Sequence, residues 1–221
     1  MIENITAGVE LFQKGGIVMY VLLLCSLFVA ATGIERWQYF RRMDSGRAFA
    51  RSFAEAAGRQ DWKQAARLAA GSSGSLARML TQVSRRSWRE RREATSFLEI
   101  QSGIILAKFR QRLYFLSVVV TMAPLLGLLG TISGMISAFS VFHVQNAQAS
   151  AITGGVGEAL VATAFGLCVA IFALIVHAFF VQRVDTILTD MEQCCSLVEA
   201  DPAAFARAAG EEKTEADYAT A

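Results

Sequence analysis

The sequence has few of the residues that interrupt helices, form disulfides or bind metals. It contains 2 prolines in 221 residues, which favours long helices over a fold of strands and turns. The 4 cysteines form no C-x-x-C pair, and His143 and His177 lie far from other candidate ligands. We therefore expect no disulfide framework, no metal site and no cofactor. No phosphate-binding glycine motif or dinucleotide fingerprint occurs, so we expect no nucleotide hydrolysis by this chain.

Charged residues are absent from three long stretches, at 15–34, 113–157 and 159–182. About 20 apolar helical residues cross a hydrocarbon core about 30 Å thick. The middle stretch ends in a polar run, FHVQNAQASAITGG, so only its first part has the composition of a crossing. The predicted fold class is an all-α membrane protein with three transmembrane helices: span 1 at 15–34, span 2 at 113–142 and span 3 at 156–182.

The distribution of basic residues predicts the orientation of the spans. Residues 35–112 contain 17 of the 21 lysines and arginines, whereas the connection at 143–155 contains none. The positive-inside rule then places the long loop and the C-terminus in the cytoplasm, and 1–14 and 143–155 on the periplasmic side. We interpret span 1 as a retained helix, because its apolar run exceeds the usual signal-peptide core and the arginine cluster follows it.

The soluble parts are predicted to be mostly helical. The loop 35–112 has the pattern of a helical hairpin broken at AAGSSGS (69–75), followed by one long helix that continues into span 2. A helical extension is predicted at 183–200, and 201–221 has the acidic, apolar-poor composition of a disordered tail. The basic run RRSWRERR (85–92) lies in no nucleic-acid-binding motif, so we predict no nucleic-acid partner. Its charges instead favour cytosolic retention and contact with membrane lipids.

Spans 2 and 3 each carry a stripe of small residues on one helix face. The span 2 stripe consists of Ala123, Gly127, Gly130, Gly134 and Ala138. The span 3 stripe consists of Ala159, Gly166, Ala170 and Ala173. Thr131 lies within the first stripe and Thr163 within the second, at similar depths in the membrane. Such stripes suit close helix packing, pore lining, or both.

Glu158 stands at the outer start of span 3, five residues before Thr163. That spacing rotates the two side chains about 140° apart, so they do not share a face. A carboxylate at a helix N-terminus is stabilised by the helix dipole and by water, which is one interpretation of Glu158. The other is a functional group at the mouth of an ion pathway, because intramembrane carboxylates need a cavity or a partner.

The stripes also carry a family resemblance. The segments TMAPLLGLLGTISGMISAF (121–139) and GVGEALVATAFGLCVAI (155–171) resemble the signature helices of the MotA/TolQ/ExbB proton channel family, on its ExbB/TolQ side. The order of spans and the large cytosolic loop also resemble that family over the whole chain. One departure is Phe172 in AIFA (170–173), where relatives often have proline, and its effect on gating geometry stays open.

The resemblance implies a homopentameric ring in the bacterial inner membrane. Spans 2 and 3 would surround a pore that holds a dimer of an ExbD- or TolR-like single-span protein, whose intramembrane aspartate carries the proton. This chain would supply Thr131, Thr163 and Glu158 to the proton pathway. The proton motive force would then energise a TonB- or TolA-like protein. The resemblance leaves open whether uptake, envelope constriction or motility is driven, and whether Na⁺ replaces the proton.

A non-conducting membrane scaffold is the alternative function, with the stripes serving helix packing alone. An intramembrane hydrolase is disfavoured because the spans contain no nucleophile and base at suitable spacing. We therefore predict that the chain is not an enzyme.

Overall fold

The computed structural model describes residues 16–86, 88, 90–145 and 149–219, with all their side chains except those of 141–145, 149–154, 158 and 212–219. Every secondary-structure element in these ranges is an α-helix. The helices are α1 Gly16–Met43, α2 Arg47–Gly58, α3 Trp62–Gly71, α4 Ser75–Ser84, α5 Arg91–Arg110, α6 Leu113–Gln145, α7 Ala149–Ala200 and α8 Pro202–Ala219.

The chain forms two compact units. The membrane unit comprises the described residues 16–35 and 112–180, and the helical unit comprises 36–111 and 181–219. Three helices, α1, α6 and α7, contain segments long and apolar enough to cross a membrane, by length and composition. The predictions of an all-α protein and of three long apolar helices are therefore confirmed. The roles of the individual segments stay predictions.

The connection between α6 and α7 is shorter than the predicted outer loop at 143–155. Helix α6 ends at Gln145 and α7 begins at Ala149, so the backbone on both sides is already helical where the sequence suggested a loop. The polar run contains alanine and glutamine but no proline, and these residues sustain a helix. Residues 146–148 lie outside the described residues.

The prediction of one continuous helix entering span 2 is wrong, because the helix is interrupted between Arg110 at the end of α5 and Leu113 at the start of α6. Arg112 has φ 69°, in the left-handed region that interrupts a right-handed helix. The buried guanidinium of Arg36 donates from Nη1 to the carbonyl oxygens of Lys108, at 3.3 Å, and Gln111, at 3.1 Å. These carbonyls belong to the end of α5, where a helix lacks internal donors and favours a positive charge.

The long loop contains more breaks than the single predicted hairpin. The expected break at 69–75 falls between α3, which ends at Gly71, and α4, which begins at Ser75. A second break separates α2 from α3, where Gln60 has φ 61°. The carboxylate of Asp61 accepts the Gln64 N–H at 3.0 Å and thereby caps α3.

The tail predicted to be disordered instead forms α8, which packs into the helical unit. The ring of Phe205 is fully buried and lies 5.8 Å from the ring of Phe53 and 5.8 Å from that of Trp62. Pro202 stands in the first turn, where its missing N–H costs nothing. The composition of 201–221 suggested disorder because an average over the segment does not register a single anchoring residue, Phe205.

Polar contacts also join the helices of the helical unit. Asp44 follows α1, accepts the Gly46 N–H at 2.8 Å and forms an ion pair with Arg183 of α7 at 3.1 Å. The fully buried Cys194 lies on α7, with its sulfur 3.8 Å from the carbonyl oxygen of Ala50. Burial raises the pKa of both Cys194 and the adjacent Cys195 to about 12.

Replacing Arg36 should destabilise the α5 end more than replacing an exposed arginine on the same helix. For Arg36→Ala we expect a loss of about 1.5–3 kcal/mol, because a charged donor to two carbonyls is removed. Arg41→Ala is the control, since Arg41 is exposed. Thermal unfolding and hydrogen exchange at residues 108–112 measure the effect. Equal melting temperatures and equal hydrogen exchange at residues 108–112 in the two variants would contradict the capping role.

Cys194 and Cys195 should resist alkylation at pH 8 in the folded protein and react after denaturation. Their pKa of about 12 keeps both thiols protonated, whereas the ordinary value is 9.0. The stability gained from holding these protons is complete below pH 9 and is lost as the pH rises towards 12. Mass spectrometry after iodoacetamide treatment measures this, with Ser73→Cys as an exposed positive control. Rapid native labelling of either cysteine would contradict the burial.

Candidate functional site

The candidate site is the seam where α6 and α7 pack together in the membrane unit. Gly166 of α7 lies against α6 so closely that an added methyl group would come within 2.7 Å of the Ala123 carbonyl oxygen and 3.0 Å of Gly127 Cα. A methyl group at Gly127 would lie 3.0 Å from Thr163 Cα and 3.1 Å from the Ala162 carbonyl oxygen. Backbone therefore meets backbone at this level, which only glycine permits.

The seam continues from this level towards the connection between α6 and α7. A methyl group built on Gly130 would lie 2.6 Å from the Cβ of Ala162. One built on Gly134 would lie 2.8 Å from the Cβ of Ala159, and one built on Gly155 would lie 2.6 Å from the Cβ of Ala138. The predicted alanines of both stripes are all buried: Ala123, Ala138, Ala159, Ala170 and Ala173. Most of the stripe glycines and alanines thus pack between helices of one chain.

Two contributors to the seam escaped the sequence pattern. Ala162 is almost fully buried and opposes Gly130, although it lies one position before Thr163 and outside the predicted stripe. Helix α1 also contributes, because Val18 lies near Gly130 and Val176 lies 3.3 Å from a methyl group built at Gly33. Extending the stripe to i+3 neighbours would have found Ala162, whereas nothing in the pattern of span 1 indicated its contacts.

Thr163 connects the two helices by a hydrogen bond. Its hydroxyl donates to the carbonyl oxygen of Gly127 on α6 at 3.0 Å, and the residue is partly buried. In an α-helix that carbonyl also accepts the N–H four residues later, which is the N–H of Thr131. The Thr163 hydroxyl and the Thr131 backbone therefore converge on one carbonyl oxygen.

The hydroxyl of Thr131 makes its bond within its own helix. It donates to the carbonyl oxygen of Leu128 at 2.6 Å. Each threonine oxygen keeps its acceptor capacity while its hydrogen is directed to backbone. Both hydroxyls can therefore accept a further hydrogen bond, and either can donate outward after rotating about χ1.

Glu158, the third predicted pathway residue, lies in α7, but its side chain is outside the described residues. Its neighbour Gly157 is exposed, with nothing within 4 Å of a methyl group built on it. Phe172 is exposed within α7, which runs without interruption through AIFA (170–173).

Among the described residues no group of three or more histidine, cysteine, aspartate or glutamate side chains could hold a metal ion. Among its described side chains the seam offers hydroxyls, backbone carbonyls and close apolar contacts. This arrangement defines a class: a multi-pass helical membrane protein whose second and third apolar helices pack through small residues and a threonine bond.

Comparison with known proteins identifies the family within that class. The sequence profile of the MotA/TolQ/ExbB proton channel family matches residues 72–193, more than half of the chain. An ExbB-like biopolymer transport protein of Synechocystis sp. is 35% identical over 182 residues, covering 77% of this chain and 69% of that protein. The chain therefore belongs to the MotA/TolQ/ExbB proton channel family, as the resemblance predicted.

Two further relatives extend the comparison. An ExbB homologue of Methanothermobacter thermautotrophicus is 24% identical over 185 residues, covering 83% of this chain and 66% of that protein, just under two thirds of its length. The Tol-Pal system protein TolQ of Pseudomonas aeruginosa is 37% identical over 82 residues, covering 37% of this chain and 36% of that protein. These relatives support an ExbB/TolQ-like subunit of an energy-transducing system.

Gly166→Ala should disrupt the seam, whereas Gly157→Ala on the same helix should not. The added methyl group meets backbone at 2.7 Å in the first case and open space in the second. We expect a loss of about 1–3 kcal/mol for Gly166→Ala from overpacking, and a neutral or slightly stabilising effect for Gly157→Ala. Thermal unfolding in detergent provides the comparison. Similar melting temperatures for the two variants would show that the helices do not approach at Gly166.

Proposed function

We propose that this protein is the channel-forming stator subunit of an inner-membrane motor driven by the proton motive force. The observation that carries the proposal is the Thr163 hydroxyl bonded to Gly127 at the α6–α7 seam, within a chain of the proton channel family. Copies of the chain would assemble as a homopentamer, with Thr131 and Thr163 directed to the pore. The N-terminus would be periplasmic and the C-terminus cytoplasmic.

The titrating group of the pathway would come from an ExbD/TolR-like single-span protein, present as a dimer inside the pore. A protonated carboxyl on that partner can donate to the oxygen of Thr163, whose own hydrogen is directed to Gly127. After deprotonation, rotation of the threonine lets its hydroxyl donate to the carboxylate instead. A neutral hydroxyl therefore serves both protonation states without trapping the proton.

Glu158 would act at the outer mouth of this pathway. A carboxylate at that position attracts cations from the periplasmic side and concentrates protons near the entrance. The energised protein would be of the TonB or TolA type, because the relatives include biopolymer transport proteins and a Tol-Pal system protein. The driven process would be uptake or envelope work.

A non-conducting scaffold is the second candidate function. The buried stripe alanines and the close approach of the stripe glycines to the facing helix favour it, because packing alone accounts for these features. Proton flux into liposomes that contain this chain and its single-span partner separates the two functions. Flux above that of liposomes with either protein alone supports the channel, and its absence supports the scaffold.

Thr163→Val should abolish energised work while leaving assembly intact. Valine has nearly the same shape but cannot bond to Gly127 or exchange hydrogen bonds with a partner acid, so we expect proton flux to fall about tenfold or more. Thr163→Ser is the matched control and should keep most of the flux because it keeps the hydroxyl. Native mass measurement checks assembly of both variants. Normal flux in Thr163→Val would exclude the pathway role.

A further inference from the structure

The helical unit carries a basic groove that the proposed proton pathway does not use. Its volume is about 860 Å³, and it lies between the segment after α4 and one face of α8. Three arginines, Arg85, Arg86 and Arg207, line it together with Trp88, beside small residues such as Ala206 of α8. No acidic side chain is among its described lining residues. The groove therefore presents a concentrated positive charge.

The position of one of these charges is fixed by aromatic rings. The guanidinium of Arg86 lies 5.1 Å from the ring centre of Trp88 and 5.5 Å from that of Phe97. The indole N–H of Trp88 in turn donates to the carbonyl oxygen of Val83 at 3.0 Å. Cation–π contacts hold the charge in place without neutralising it. The groove is thus suited to an anionic partner surface.

The same chain contains a segment with the opposite charge, at the end of α8. Residues 211–217, EEKTEAD, contain four acidic residues and one lysine. The buried face of α8 includes Phe205 and Ala208. Glu211, the first residue of the acidic segment, forms an exposed ion pair with Lys63 of α3 at 3.2 Å, so the segment begins at the surface of its own unit.

The size of the groove suits a helix. A helix with its side chains is about 10–12 Å wide and rises 5.4 Å per turn, so 860 Å³ accommodates roughly one and a half to two turns. The acidic segment 211–217 is about two turns long and is helical at the backbone level. Length and charge therefore match between the two surfaces.

We propose that the acidic end of α8 in one copy of the chain binds the basic groove of the neighbouring copy. The contact is head-to-tail, because two different surfaces meet, and head-to-tail contacts close into rings when the rotation permits. The inference rests on the self-assembly proposed above and adds a cytosolic contact that links successive subunits. It is independent of which ion crosses the membrane unit.

Disulfide cross-linking tests this contact in the full-length protein in native membranes. The double variant Ala209→Cys/Glu215→Cys places one thiol at the groove and one on the acidic segment, with Cys25 and Cys168 replaced by alanine. Within one helix these positions are about 9 Å apart along the axis, too far for a bond between them. After mild oxidation we expect a ladder of covalent oligomers from the double variant and none from either single variant.

Charge reversal then tests the physical basis. Adding R85E/R86E should lower the cross-linked fraction about fivefold, because surface ion pairs of modest strength are replaced by repulsion. Further addition of E212K/D217K, which leaves the Glu211–Lys63 ion pair in place, should restore it. The matched control R41E/R42E, which makes the same charge change on exposed residues of α1, should leave the ladder intact. If R85E/R86E leaves the cross-linked fraction unchanged, the electrostatic contact is overturned.

Native mass measurement distinguishes failure of this contact from failure of the proposed function. Homopentamers without a ladder would show that the groove does not bind a neighbouring α8, while the stator proposal stands. A monomer in several detergents would overturn both. If the ladder is absent and R85E/R86E abolishes energised work, the groove binds a different protein, and the contact between copies is wrong.

Discussion

The approach of α6 and α7 at Gly127 and Gly166 is the contact on which the membrane unit depends. In a hydrocarbon environment helices gain little from burying apolar side chains, because lipid tails are equally apolar. Close backbone packing and interhelical hydrogen bonds must therefore supply the association energy. The distances of 2.7–3.1 Å that an added methyl group would have at these glycines show that the seam has no room for larger residues. The bond from Thr163 to Gly127 is possible because of the same close approach.

This tightness limits the chemistry that the seam can contain. A carboxylate at the centre of a span costs about 2.5–3.5 kcal/mol on insertion scales, and more room would be needed for its water or its partner. A threonine occupies a volume close to that of valine and satisfies its hydroxyl on the nearest backbone carbonyl. Packing and proton transfer are thus compatible uses of one seam, and the buried stripe does not by itself decide between channel and scaffold.

The sequence predicted the elements that depend on local patterns. Charge-free lengths indicated the three apolar helices, and the spacing of glycine and alanine indicated the face on which α6 and α7 meet. The break at Arg112 could not be predicted in this way, because its left-handed backbone accompanies capping by Arg36, more than 70 residues earlier. Helix α8 was missed for a related reason. Its anchor, Phe205, is stabilised by Phe53 and Trp62, which are distant in sequence.

The arginines show why residue type alone underdetermines a role. Topology accounts for their concentration in 35–112, yet Arg36 is buried and caps a helix while Arg86 lies over aromatic rings at a groove. A guanidinium can do both because it is planar, always charged and weakly hydrated, so it tolerates burial against carbonyls and π-faces. Lysine would satisfy the positive-inside rule equally well, and its ammonium could also donate to two carbonyls, but it lacks the planar π-face that stacks on an aromatic ring. At Arg36 and Arg86, which lie over the rings of Tyr39 and Trp88, the choice of arginine therefore has a structural cause beyond orientation in the membrane.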